Sequence, residues 1–86
     1  MAYEIKTTYF GAMPNQAEGT LNGKPFYFRA RWGSWCLRYL TDTGEISGGE
    51  VIDYGDGDVV GGESPGWWPE EGTRKFVTEL LERHSK

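Results

Sequence analysis

Between Phe26 and Thr41 apolar and polar residues alternate on both sides of a two-residue break at Gly33-Ser34. Strand side chains alternate between faces, so this pattern builds a hairpin with one apolar face. A two-residue turn with glycine in its first central place matches the II′ type. Gly33-Ser34 as that turn predicts a register. Trp32 faces Trp35, Ala30 faces Leu37, Phe28 faces Tyr39 and Phe26 faces Thr41, all on one side that must be covered. The opposite side carries Arg31 across from Cys36, Arg29 across from Arg38, and Tyr27 across from Leu40.

The cover lies at the C-terminal end. Pro69 suits a first helical position, and Glu70 and Glu71 follow at the positive end of the helix dipole. Thr73 is an alternative N-cap. Phe76, Val77, Leu80, Leu81 and His84 then recur at helical spacing, with Lys75, Glu79, Glu82 and Arg83 on the other side. Upstream, Tyr3 to Phe10 and Glu18 to Leu21 read as strands. The second leads into Asn22-Gly23, residues that both tolerate the positive φ of a hairpin turn. Val51 to Tyr54 and Val59-Val60 flank Gly55-Asp56-Gly57-Asp58 as a further hairpin. The expected architecture is α+β: an antiparallel sheet of about four to five strands packed against one C-terminal amphipathic helix. At 86 residues one domain, 1–86, is expected, and its core is thin. The 15% aromatic content lets a few large side chains supply much of that core.

The net charge of −4 hides a split. Residues 1–41 carry +3, residues 42–71 carry −9 with no Lys or Arg, and residues 72–86 carry +2. The acidic stretch also holds eight glycines, so it reads as surface loop. No stretch approaches the roughly 20 apolar residues that span a bilayer, and the first residues lack a signal-peptide pattern. One cysteine, Cys36, cannot form an internal disulfide. A cytoplasmic protein without a membrane partner is expected, as a monomer or a homodimer.

Two surfaces are candidates for binding. The first is acidic and aromatic: Asp53, Asp56, Asp58 and Glu63 with Trp67 and Trp68. It would dock on a protein partner, with a tryptophan as anchor. The competing reading is a solvated loop, with both tryptophans in the core. The second is the sheet face bearing Tyr27, Arg29, Arg31 and Arg38. It would bind an anion, whether phosphate, nucleic acid or an acidic protein, with Tyr27 as a stacking surface. Its competitor is internal pairing of those arginines with Glu4, Glu18 or Asp53. The overall negative charge weighs against nucleic acid, whose affinity comes from neutralised phosphates.

Chemistry-bearing patterns are weak. Asp56 and Asp58 match the first two ligands of a calcium loop, but Val60 occupies the third. His84, the one histidine, sits on the apolar edge of the last helical turn. Cys36 lies in a strand with nothing to activate it, and no serine sits in a nucleophile elbow. No phosphate-loop or dinucleotide fingerprint occurs. No catalytic residue, metal or cofactor is expected, and the chain reads as a non-enzymatic protein-interaction module.

The stretch from Gly19 through Asn22-Gly23-Lys24-Pro25-Phe26-Tyr27-Phe28-Arg29-Ala30-Arg31-Trp32 to Trp35 resembles a segment of short proteins found in bacteria and their phages. In size and acidity the whole chain is similar to phage-encoded inhibitors of host defence, such as anti-CRISPR proteins. That resemblance implies stoichiometric binding to a protein target and assigns no individual residue a role.

Overall fold

The computed structural model describes residues 2–9, 15–40, 49–58, 62–63 and 67–85. Five strands, β1 (Tyr3–Tyr9), β2 (Asn15–Leu21), β3 (Lys24–Arg31), β4 (Ser34–Tyr39) and β5 (Val51–Asp56), precede one helix, α1 (Glu70–His84). The strands pair in chain order and every pair is antiparallel, so the sheet is a meander. With α1 on one side, the fold is α+β.

The period-two pattern explains which side α1 covers. Ala17 and Leu21 of β2, Phe26, Phe28 and Ala30 of β3, and Trp35 and Leu37 of β4 are buried together with Val77, Leu80 and Leu81 of α1. Burying each such leucine or phenylalanine stabilises the fold by roughly 1.5–3 kcal/mol. Phe76 sits at the centre of an aromatic cluster, with ring centroids 4.5 Å from Trp68, 5.0 Å from Trp35 and 6.3 Å from Phe28. Pro69 precedes α1 in extended conformation and offers no side-chain cap. Thr73 is not a cap: it is buried one turn inside, and its hydroxyl donates to the Pro69 carbonyl at 2.9 Å.

The other end of α1 is tied to the sheet. Asn22 Nδ2 donates to the His84 carbonyl at 3.0 Å, and Tyr3 donates its hydroxyl proton to Glu82 at 3.1 Å. Asn22 can do so because its own φ is 55° and that of Gly23 is 81°, the tight turn expected at this dipeptide.

The β3–β4 hairpin turns one residue earlier than expected, at Trp32-Gly33. Arg31 pairs with Ser34, Ala30 with Trp35, Phe28 with Leu37 and Phe26 with Tyr39. This shift preserves the parity of every residue, so the core-facing set of β3 and β4 is the expected one except for Trp32. That residue leaves the apolar face and stands 60% exposed in the turn. Arg29 therefore faces Cys36, and Arg38 faces Tyr27, so the two arginines are not cross-strand partners. The physical gain is volume matching: Trp35 lies across from Ala30 instead of another tryptophan. Thr41 and Val59-Val60 lie outside the described residues. β2 begins earlier than expected, at Asn15, and β5 runs on through Gly55 and Asp56, which are therefore strand and not turn.

Candidate interaction face

Only one face of the sheet is covered by α1. The strand registers place Tyr9, Gln16, Arg29, Cys36 and Tyr54 in one row across all five strands of the other face. At about 4.8 Å between strands that row spans roughly 19 Å. Beside it run Glu18, Tyr27, Arg38 and Val51 on one side, and Arg31, Ser34 and Asp56 on the other. Tyr9 is 61% and Tyr54 72% exposed. Exposed tyrosine, tryptophan and arginine gathered on one surface are the residue types that anchor protein interfaces.

The acidic set does not form one surface. Asp53 and Asp56 are three residues apart on β5 and so point to opposite faces. Asp53 lies on the helix side, 2.8 Å from His84 Nε2 and 3.9 Å from an Arg83 guanidinium nitrogen. Asp58 accepts the indole N–H of Trp35 at 2.6 Å. Gly55 makes room for that contact: a Cβ there would come within 2.5 Å of the indole nitrogen and 2.6 Å of the Asp58 carboxylate. Asp56 and Glu63 are exposed. The tryptophan pair also divides. Trp68 is 1% exposed beneath Phe76, so it belongs to the core and is removed from the candidate contact residues, while Trp67 is 55% exposed. Replacing Asp58 by Ala leaves the indole N–H of Trp35 without its acceptor and should lower unfolding free energy by about 1–3 kcal/mol. Asp56→Ala should change it by less than about 0.5 kcal/mol. Urea unfolding of the two variants side by side checks the contrast, and equal midpoints would remove the structural role given to Asp58.

The arginine face keeps its members together. Of the carboxylates that could neutralise it, Glu4 meets Lys6 at 3.9 Å, Asp53 meets α1, and Glu18 stays on the arginine face itself, across from Tyr27. Among the described residues neither Arg29 nor Arg31 has an ion-pair partner. Arg29 Nε is buried with no hydrogen-bond acceptor among the described residues. Such an orphaned N–H costs about 1–3 kcal/mol, more when charged. Arg31 instead lies over the Trp32 ring, its guanidinium carbon 5.5 Å from the centroid. Arg38 reaches the Cys36 thiol at 3.6 Å. Tyr27 is 6% exposed and donates to Gln16 at 2.5 Å. Burial raises its phenol above the usual 10.0 and Glu18 adds to the rise, against the pull of Arg29. The Tyr27 proton therefore stays in place at neutral pH. Its buried ring offers no open stacking surface, and Tyr9 and Tyr54 hold that position.

Trp32 is the outlier of this face. Its φ of 57° lies in the left-handed region, which costs a bulky residue about 1–2 kcal/mol. Strain of that kind marks sites where conformation serves something other than stability. Trp32→Gly should leave stability unchanged or raise it by up to about 1 kcal/mol, since relieved strain outweighs the added flexibility of glycine. Thermal unfolding measures this, and a clear loss of stability would mean the ring is structural.

Sequence reading missed Tyr9, Tyr54 and Ser34 on this face. The signal was present in strand parity, but the strand order that aligns them was not. Among the described residues no helix is long and apolar enough to cross a membrane. No family model, curated protein or solved structure matches the chain.

Proposed function

We propose that this protein is a non-enzymatic interaction module that binds an acidic segment of a protein partner on the uncovered face of its sheet. The observation that carries the reading is the composition of that face. Exposed Tyr9, Tyr54 and Trp32 lie around Arg29 and Arg31, neither of which forms an ion pair with a described carboxylate. Charge complementarity selects an acidic occupant. Rigid aromatic rings supply contact area at low entropic cost. An inhibitor or accessory protein encoded by a mobile element, acting by stoichiometric binding, is the concrete form that its length and acidity suit.

The test is affinity capture from host lysate with and without nuclease, using the native chain and two variants. One carries Trp32→Gly, Arg31→Gln and Tyr54→Ser. The other carries Trp67→Ser and Glu63→Gln, at exposed positions outside the five strands. A stoichiometric protein that survives nuclease, is lost by the first variant and is kept by the second is the expected result. Equal capture by both variants would overturn the assignment of this face. Capture abolished by nuclease would favour a nucleic-acid partner on the same arginines.

A further inference from the structure

At the hairpin end of the uncovered face, Arg29, Arg31, Trp32, Ser34, Trp35 and Cys36 line a shallow depression of about 270 Å³. We infer that it is a phosphate pocket, and that it receives a phosphorylated side chain of the protein partner. The inference rests on the reading of this face as the partner-binding surface and names the group recognised there.

Charge is the first argument. Arg29 and Arg31 occupy alternate positions of β3, so their side chains leave the same face about 7 Å apart. Both line the depression, and neither forms an ion pair with a described carboxylate. Asp56 is the cross-strand partner of Ser34 and stands two strands, about 10 Å, from Arg31, without an ion pair to it. A single carboxylate would leave one guanidinium uncompensated. A phosphomonoester carries about −1.5 to −2 at neutral pH and matches both.

Donors are the second argument. Guanidinium groups bind phosphate through paired N–H bonds, and the side chains of both Arg29 and Arg31 line the depression. The Ser34 hydroxyl adds a neutral donor on the rim. Trp32 lies against Arg31 and restricts its guanidinium before any ligand arrives.

Size is the third argument. The volume falls below the 300–1,000 Å³ or so of pockets that enclose small molecules. A free phosphate ester would gain little contact beyond the anion itself. A phosphate carried on a protein would gain the flanking rings of Tyr54 and Tyr9 in the Arg29 row. A long polyanion is disfavoured by the net charge of −4.

The experiment follows the arginine Nε–H signals of the full chain by ¹⁵N-resolved NMR during titration with three probes. These are N-acetyl-phosphoserine amide, N-acetyl-aspartate amide and hexathymidylate. The expected result is a saturable shift of the Arg29 and Arg31 signals with phosphoserine, about tenfold tighter than with aspartate because one more charge-assisted bond forms. Arg29→Gln should abolish it, and Arg31→Gln, at an exposed position outside the core, should weaken it with the backbone spectrum unchanged. Equal affinity for the aspartate probe, tighter binding of hexathymidylate, or no saturable shift would each overturn the phosphate assignment. If the phosphoserine response fails while the partner is still captured through Trp32 and Tyr54, the pocket is wrong and the face is right. If phosphoserine binds while capture survives the Trp32, Arg31 and Tyr54 changes, the partner surface is wrong.

Discussion

Trp68→Ala should lower the unfolding free energy by about 3–5 kcal/mol, the usual cost of emptying a large aromatic site in a core. A chain of 86 residues holds only about 4–13 kcal/mol in total, so the variant should be largely unfolded near body temperature. The reason is its place in the fold. Trp68 is among the largest fully buried side chains, and its ring is 4.5 Å from that of Phe76, which in turn bridges Phe28 and Trp35. Deleting the indole removes the packing at the start of α1 just where that helix has no side-chain cap to hold it. Trp68→Phe should cost much less than alanine, because it keeps most of the contact and removes a buried indole N–H that has no partner among the described residues. Urea unfolding followed by circular dichroism measures both. A midpoint for the alanine variant within error of the native one would mean that α1 docks without this residue.

Gly19→Ala should cost at least about 3 kcal/mol, the upper end of overpacking penalties, because what blocks the new methyl is backbone. A Cβ at position 19 would land on the carbonyl of Glu4 and the Cα of Ile5. Those atoms belong to β1 at the place where its pairing with β2 shifts register, between Ile5 and Thr7. The irregularity presses β1 against β2, and only glycine admits it. The damage should be local: β1 amides lose protection from hydrogen exchange while β3 and β4 keep theirs, since among the described residues β1 is an edge strand with one neighbour. Uniform loss of protection would contradict that picture, and native protection throughout would remove the clash.

The alternating pattern from Phe26 to Tyr39 makes the core face legible in the sequence alone, and the Asn22-Gly23 turn and the α1 stripe are equally plain. A hairpin that slips by one turn position keeps every parity, so the core reading tolerated the error. The neighbours did not. Arg29 against Arg38 was a consequence of placing the turn at Gly33-Ser34, where glycine is locally favoured. The fold prefers Trp32-Gly33 because Trp35 then meets Ala30 and can reach both the aromatic cluster and Asp58. Local turn preference, worth about 1–2 kcal/mol, loses to the fit of one indole against an alanine in place of two indoles face to face.

The candidate site was legible in part. Arg29, Arg31 and Arg38 were recognised as sharing a face, and they do. The acidic run gave no hint that Asp53 would meet His84 or that Asp58 would meet Trp35. Nor did it separate Trp67 from Trp68, because two adjacent residues of one type have the same composition and the same neighbours in sequence.

What the chain determined by itself is what depends on period and local geometry: strand faces, the helix stripe, and the glycine turn at 22–23. What only the tertiary structure decided is which charges are spent inside the molecule and which tryptophans face water. Period is a property of a few consecutive residues. The partners of a carboxylate or an indole are set by strand order and by where the helix lies. Those were chosen by packing between segments as far apart as residues 15 and 68, a distance over which no local pattern carries information.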